Sequence, residues 1–183
     1  MIINIRQCAK DLKYKNPDLI TRPIGRNLFA KVLEKLEIIG LHEIVIIDFE
    51  GIKVIDSSFI DEFLVRLILL SRDEKKPFYV KLRNISESAE INIDLVFKSY
   101  SHYNNKKIVV ISDELRHNNS YFIGPLTGAE KQIIDFLKIN KSARVSEIAD
   151  ILSLPEEETM EIMEQLFETR VIRKDTQAIF SVV

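Results

Sequence analysis

The sequence predicts an α/β domain over residues 1–124, followed by a small α+β domain over residues 125–183. Two observations predict the first domain. Apolar runs of strand length alternate with amphipathic helical segments, and the alternation continues over about 120 residues, as in sheets covered by helices. A third observation predicts the second domain, because three short helical patterns and a hairpin pattern follow Gly124 and Pro125, a dipeptide typical of a boundary.

The first third of the chain contains two strand patterns with a helical pattern between them. Residues 1–5 form a short apolar run with β-branched side chains, which predicts a first strand. Residues 22–39 carry apolar side chains at the spacing of one helix face, and Gly40 follows where helices commonly end. Residues 43–49 include an unbroken apolar run, which indicates a strand at the centre of its sheet and buried on both faces.

The next segment predicts a helix that begins at a group of polar residues. Asp56, Ser57 and Ser58 carry side-chain oxygens that can cap a helix start, and Ser58 with Asp61 fits a capping box. The helix is expected to run to about Arg72.

The alternation then continues to the end of the domain. Strand, helix and strand patterns cover residues 77–83, 86–103 and 106–112. Between residues 113 and 124 the pattern breaks into polar residues, with a last edge strand expected at residues 121–123.

A capped helix start opens the second domain. Thr127 is followed three residues later by Glu130, as a capping box requires, and this predicts a helix that ends near Asn140. A short second helix is expected over residues 145–152.

A third helix and a hairpin complete the second domain. The helix is expected over residues 156–169, directly after a proline, and its inward-facing residues are Met160, Met163, Leu166 and Phe167. Residues 171–183 predict a two-stranded hairpin with its turn at residues 175–177.

The second domain resembles the winged-helix DNA-binding domains of bacterial repressors. The matching patterns are Leu-Thr-x-x-Glu-x-x-Ile-x-x-Phe-Leu from residue 126, Val-Ser-Glu-Ile-Ala-x-x-Leu from residue 145, and Val-Ile-Arg-Lys from residue 171. The resemblance implies that the third helix enters the major groove and that basic side chains neutralise phosphates. The residues expected to contact DNA are Lys141, Arg144, Ser146, Arg173 and Lys174.

The charge of the third helix argues against tight DNA binding. Its glutamates are Glu156, Glu157, Glu158, Glu161, Glu164 and Glu168. The solvent face of this helix should therefore repel phosphate, although glutamates near a helix start also stabilise the helix dipole. The domain is expected either to read DNA or to contact a protein.

A segment of the first domain resembles the STAS domains of the anti-sigma-factor antagonist type. Residues 46–59 read Ile-Ile-Asp-Phe-Glu-Gly-Ile-Lys-Val-Ile-Asp-Ser-Ser-Phe, and Phe59 stands where the family has glycine. In that family the first serine of the pair is phosphorylated by a partner kinase, and dephosphorylation permits binding to the kinase. The resemblance implies that Ser57, with Ser58 and Asp56 beside it, is a phospho-acceptor or switch. It also implies a kinase-like ATPase or an anti-sigma factor as the partner; otherwise the serines are only helix caps.

The helix after the serines has more apolar surface than one sheet face needs. Its apolar side chains surround nearly the whole circumference and leave only Asp61, Glu62 and Arg66 as a polar strip. This helix is expected to be covered by the second domain, by a protein partner or by a second copy of the chain. The alternative is that it is an ordinary core helix of its own domain. Phe59, Glu62 and Arg66 are the residues expected to contact a partner.

No catalytic motif is complete. The glycines form neither a dinucleotide-binding fingerprint nor a P-loop, and the histidines lack metal-ligand spacing. Asp48, Glu50 and Asp56 follow a strand, where α/β enzymes hold ligands and metals, so a small metal-dependent enzyme stays an alternative. The leading expectation is a protein that is not an enzyme and that carries no cofactor and no metal.

Composition and charge indicate a globular cytoplasmic protein. The chain is 46% hydrophobic and 30% charged, its single Cys8 fits a reducing compartment, and it lacks an apolar run of membrane-spanning length. Its net charge of -2 is unevenly distributed: residues 1–125 carry 19 basic and 17 acidic side chains, and residues 126–183 carry 7 and 11.

The sequence thus predicts a regulatory protein in which a STAS-like domain binds a protein partner and a winged helix relays that binding to DNA or to a second partner. One alternative is a transcriptional repressor whose α/β domain binds a small ligand or forms a homodimer. A basic surface facing the groove would distinguish the repressor, because DNA affinity depends on phosphate neutralisation.

Overall fold

The computed structural model describes residues 1–16, 18–114 and 121–183. It divides into two compact units, Met1–Pro125 and Leu126–Val183, and the division falls one residue after the predicted boundary. Part of the predicted polar break, residues 115–120, lies outside the described residues.

The first unit contains a five-stranded sheet whose strands follow one another in chain order. The strands are β1 (Ile2–Asn4), β2 (Ile44–Asp48), β3 (Tyr79–Arg83), β4 (Val110–Ser112) and β5 (Phe122–Ile123). The first four are parallel, and β5 runs antiparallel to β4. Parallel neighbours need a crossover connection, and helices fill the crossovers from β1 to β4. The predicted α/β class is confirmed.

The prediction for β2 is right in one respect and wrong in two. β2 has a partner strand on each side, as expected for an internal strand, but β3 and not β2 lies in the middle of the sheet order. Val45 and Ile47 are fully buried, whereas Ile44 and Ile46 on the opposite face are only half-buried. The apolar run therefore predicts that the strand is internal to the sheet, but it does not predict that side chains on both faces of the strand are buried.

The helices of this unit are α1 (Ile5–Asp11), α2 (Arg22–Leu36), α3 (Ser57–Ile60), α4 (Arg66–Ser71) and α5 (Glu87–Asn104). A π-helical segment, Asp61–Val65, connects α3 directly to α4. Residues 57–71 thus form one continuous helix, the central helix.

The sequence did not predict α1. Its seven residues begin within the expected first strand, and the side chain of Asn4 caps it by accepting a hydrogen bond from the backbone N of Gln7 at 2.8 Å. A helix of two turns is too short to show a clear apolar period, which explains the miss.

One face of the sheet packs against the helices. The parallel register places Val45 beside Val80 and Ile47 beside Leu82, so these four side chains share a face. They belong to one apolar cluster that also contains Phe63 of the central helix and side chains of α1, α2 and α5. The core of this unit therefore lies between the sheet and its helices.

Gly25 lets α2 approach the central helix closely. A Cβ atom built on Gly25 would lie 2.9 Å from Cβ of Glu62 and 3.1 Å from the carbonyl oxygen of Phe59. Both distances are shorter than ordinary carbon contacts. The backbones of the two helices therefore approach each other at a point where only glycine fits.

The second unit contains the predicted order of three helices and a hairpin. Its elements are α6 (Gly128–Asn140), α7 (Val145–Leu152), α8 (Glu156–Glu168), β6 (Ile172–Lys174) and β7 (Phe180–Val182). β6 and β7 pair antiparallel, and Ala143 forms an isolated bridge to Phe180 on the other edge of β7. The predicted capping box is present: Thr127 and Glu130 exchange hydrogen bonds of 2.7 and 3.3 Å.

Replacing Gly25 with alanine is expected to lower the free energy of unfolding of the first unit by about 1–3 kcal/mol, because the added methyl group forces two packed helices apart. Urea denaturation followed by circular dichroism measures the change. Gly128→Ala is the matched control, since a Cβ atom there meets nothing within 4 Å. Equal stability of wild type and Gly25→Ala would contradict the close helix crossing.

Candidate functional site

Two helices of the first unit start at the same point, beside Asp56. One carboxylate oxygen of Asp56 accepts a hydrogen bond from the backbone N of Phe59 at 2.7 Å, which caps the central helix. The other accepts from the backbone N of Thr21 at 3.2 Å, directly before α2 begins. The backbone N of Asp56 also donates to the carbonyl of Leu19 at 3.3 Å. Asp56 therefore fixes the starts of α2 and of the central helix next to each other.

Ser57 and Ser58 are not the caps of this helix. Asp56 occupies the N-cap position and the serines are the first two helical residues, so the expected capping box of Ser58 with Asp61 is wrong. Ser57 is exposed and Ser58 is half-buried. Ser57 therefore presents its hydroxyl at a helix start without a capping role.

A cleft of about 440 Å³ opens beside the serines. Its lining residues are Arg22 from α2, Ser57, Ser58 and Asp61 from the central helix, and Leu95, Val96, Ser99, Tyr100, Tyr103 and Asn104 from α5. One wall is polar and charged, and the wall from α5 is largely apolar and aromatic. The volume lies within the range of ligand-binding clefts. These residues define the Ser57 cleft.

Two hydrogen bonds fasten α5 to the segment that precedes the serines. The side-chain amide of Asn92 donates to the carbonyl of Ile55 at 2.9 Å, and the hydroxyl of Ser86 donates to the carbonyl of Lys53 at 3.1 Å. Because Asp56 follows Ile55, these bonds hold α5 at a fixed position beside the start of the central helix. The wall that α5 contributes to the cleft is thus held in place by the packing of the first unit.

Three arginines surround the carboxylate of Glu62. Arg22 lies 3.0 Å and Arg26 3.2 Å from Oε1, and Arg66 lies 3.4 Å from Oε2. Arg22 also pairs with Asp61 at 2.6 Å. The hydrogen bond from Arg22 lowers the pKa of Glu62 despite the burial of this carboxylate, and the bond to Asp61 raises the pKa of Arg22. Glu62 is thus the shared partner in an ion cluster with three arginines of the same chain.

The prediction that Phe59 contacts a partner is wrong. Its side chain is 0% exposed, as are those of Ile60, Phe63 and Leu64, and the rings of Phe59 and Phe63 stack at 5.2 Å between centroids. Besides the sheet, α2 and α5 both pack against the central helix, and this explains its apolar circumference. Glu62 has only 15% of its side chain exposed, whereas Arg66 is about half exposed, at 48%.

Arg22 and the wall from α5 are parts of the site that the sequence did not predict. Ala89, Ile93 and Phe97 form the buried stripe of α5, whereas Ile91 and Leu95, four residues apart, are 55% and 59% exposed. Of these two exposed side chains, Leu95 lines the cleft, so a large apolar residue on the outer face of this helix was a signal for the wall. For Arg22, 35 residues from Ser57 in the chain, no local pattern gave such a signal.

The second unit brings two of the expected DNA contacts onto one surface. Ala143 and Lys174 are both cross-strand partners of Phe180, whose side chain is buried. Because successive residues of a strand point to opposite faces of a sheet, the neighbouring Arg144 and Arg173 lie on the outer face of this small sheet. Both arginines are exposed. Lys141 and Ser146 are exposed as well.

Lys174 is engaged within the second unit. Its ammonium group pairs with Glu164 of α8 at 2.7 Å and lies 5.2 Å from the ring centre of Phe180. On α8 itself, Glu156, Glu157 and Glu158 are exposed in the first turn. Met160 was expected to face inward but is 39% exposed, while Met163 and Leu166 are buried as predicted. The exposed start of α8 is therefore acidic.

Two of the three carboxylates considered for a metal, Asp48 and Asp56, accept structural hydrogen bonds. Asp48 Oδ1 accepts hydrogen bonds from the backbone N of Glu50 at 2.9 Å and from the side-chain amide of Asn84 at 2.8 Å, which closes the turn after β2. Asp56 caps the central helix and accepts a hydrogen bond from the backbone N of Thr21, as described above. Within residues 1–16, 18–114 and 121–183, no group of three or more candidate ligands for a metal is present.

Of the helices in the described part of the chain, none combines the length and the apolar character needed to cross a bilayer. Comparison with models of protein families, with curated proteins and with solved structures gives no match for the chain. The candidate site therefore has to be interpreted from its own residues, and the Ser57 cleft is the arrangement that combines an exposed hydroxyl, a cation and an apolar wall.

Asp56→Ala is expected to lower the free energy of unfolding by about 1–2 kcal/mol, because the central helix loses its cap and the start of α2 loses an acceptor. Ser57→Ala should change it by less than about 0.5 kcal/mol, since this exposed hydroxyl caps nothing. Chemical denaturation of both variants tests the assignment. A larger loss for Ser57→Ala than for Asp56→Ala would show that the serine is the cap.

Proposed function

We propose that the chain is a non-enzymatic, cytoplasmic regulatory protein whose first unit docks a protein partner at the Ser57 cleft. The observation that carries the proposal is the exposed hydroxyl of Ser57 at a helix start, opening onto a cleft with a polar and an apolar wall. Interfaces commonly combine such an apolar patch with a polar rim. In this proposal the first unit is a STAS-like domain, and the partner is a kinase-like ATPase or an anti-sigma factor.

Two features support the STAS-like assignment of the first unit. Helices pack on one face of a mostly parallel sheet, and the Asp-Ser-Ser motif stands at the start of a long helix that follows an internal strand. The serine that corresponds to the family's phospho-acceptor, Ser57, is the exposed one of the pair. A buried Ser57 would have opposed the assignment.

Charge at Ser57 is the proposed switch. A phosphoserine carries about -1.5 to -2 charges at neutral pH, which is large compared with the single charges of Arg22 and Asp61 in the cleft. The N-cap is already occupied by a carboxylate. Added negative charge therefore changes the docking surface far more than it changes the fold.

The second unit is proposed to be a winged helix that contacts a protein. Its three helices and hairpin support the winged-helix assignment. The exposed glutamates at the start of α8 favour a protein partner over phosphates, because like charges repel. In this proposal the second unit relays the binding state of the first unit to a second partner.

Pull-down from the native cell with wild type, Ser57→Asp and Ser57→Ala tests the proposed function. The aspartate is expected to leave stability within about 1 kcal/mol of wild type and to reduce recovery of the partner, because it adds charge at the docking surface. The alanine variant should recover the partner as wild type does.

Ser142→Asp is the matched control, since it adds the same charge at an exposed position of the second unit. A partner counts as specific when Ser142→Asp retains it and Ser57→Asp loses it, after thermal melts have shown comparable folding. Identical recovery by all variants would reject the switch at Ser57.

A transcriptional repressor is the second candidate function. The specific observation in its favour is the pair of exposed arginines, Arg144 and Arg173, on the outer face of the small sheet of the second unit. Arginine is well suited to phosphate contact. In this candidate the first unit binds a small ligand or forms a homodimer.

Affinity for DNA separates the two candidates. The acidic start of α8 leads us to expect a Kd weaker than about 10⁻⁶ M for random duplex at roughly 150 mM salt. Fluorescence anisotropy over a series of salt concentrations measures it. Tight and strongly salt-dependent binding that is lost in the double variant Arg144→Gln, Arg173→Gln would favour the repressor instead.

A further inference from the structure

The hydrogen bond between Thr21 and Asp56 places Arg22 and Ser57 side by side. Each of these two residues directly follows a partner in that bond, whose length is 3.2 Å from the backbone N of Thr21 to Asp56 Oδ2. Both side chains line the same cleft. A group attached to the Ser57 hydroxyl therefore lies at a cleft that Arg22 also lines.

Arg22 has partners that it can exchange. Its guanidinium is paired with Asp61 at 2.6 Å and with Glu62 at 3.0 Å, and half of its side chain is exposed, at 50%. Glu62 keeps Arg26 at 3.2 Å and Arg66 at 3.4 Å if Arg22 leaves. Movement of Arg22 thus leaves Glu62 paired with two cations, and it leaves Asp61, whose side chain is 37% exposed, to solvent.

The partner that neutralises a phosphate on Ser57 would have to be a cation outside the helix start. The backbone N of Phe59 is already bound to the carboxylate of Asp56, so the capping position is taken. From the central helix the cleft receives Asp61, which repels a phosphate, and from α5 it receives the phenols Tyr100 and Tyr103. Among the described residues that line the cleft, Arg22 is the cation.

We propose that Arg22 is the reader of a phosphate on Ser57 and exchanges the carboxylate of Asp61 for the phosphate oxygens. The proposal rests on the proposed function in that it takes Ser57 as the phospho-acceptor. In the modification, Ser57 Oγ forms a bond to the γ-phosphorus of a nucleoside triphosphate held by the kinase. The bond from that phosphorus to the bridging oxygen breaks, the diphosphate leaves, and the hydroxyl proton passes to a base of the kinase.

Charge and geometry favour the exchange. A phosphate dianion attracts a guanidinium more strongly than a carboxylate does, and arginine can bind phosphate through two parallel N–H···O bonds. The exchange releases Asp61 into the cleft. Before phosphorylation the cleft carries a neutral Arg22–Asp61 pair. After phosphorylation it carries a bound phosphate and an uncompensated carboxylate, so a partner that docks on one of these two surfaces is rejected by the other.

The second pKa of the phosphate tests the proposal on purified protein. Phosphoserine is incorporated at position 57 of the full chain during translation, and its ³¹P NMR signal is titrated with pH. Arg22 should lower this pKa below the value of about 6 for phosphoserine, because a nearby cation stabilises the dianion. Arg22→Gln should raise it by roughly half a unit or more, and Arg22→Lys should retain part of the effect.

Arg26→Gln is the matched control, because Arg26 pairs with the same Glu62 but does not line the cleft. It should leave the pKa of the phosphate unchanged. Equal pKa values in wild type, Arg22→Gln and Arg26→Gln would overturn the role of Arg22. This outcome is independent of the pull-down that tests the proposed function, since no partner is present, and thermal melts of each variant establish that it is folded.

Discussion

The hydrogen bonds of one carboxylate, that of Asp56, determine how the first unit is built. They fix the start of α2 and the start of the central helix at the same place, although the two starts are far apart in the chain. From this point α2 crosses the central helix at Gly25, where the absence of a side chain lets the backbones approach. The central helix can then be apolar on nearly all sides, because α2 and α5 cover it together with the sheet.

Features that depend on neighbouring residues were predictable from the sequence. The strand and helix alternation, the capping box of Thr127 and Glu130, and the closing hairpin are each encoded within a few residues. The strand–helix boundary at Asn4 was not predictable, since two turns of helix carry too little periodicity. Its helical spacing from Met163 predicts Met160 on the inner face, but its 39% exposure shows that an amphipathic helix tolerates an outward methionine at the edge of that face.

The site was predictable only as far as its local motif extends. Ser57 follows from the Asp-Ser-Ser motif, and its exposure agrees with the expected place at a helix start. Phe59 was assigned to the surface because the sequence does not reveal that α2 covers the same helix. Arg22 and Tyr103 join the site through tertiary packing, so no pattern of adjacent residues could indicate them. The local motif thus indicated the residue proposed to be modified, and the fold supplied its surroundings.

The π segment within the central helix has an evolutionary consequence. Its hydrogen bonds span five residues where those of an α-helix span four, so it accommodates one residue more in the same length of helix. Each residue of a regular helix adds a rotation of about 100°. The segment absorbs that rotation, and Leu67 and Ile68 beyond it stay buried. Loss of a single residue at positions 61–65 would be compatible with the same buried face, so descendants of a common ancestor can differ in length here while conserving their core.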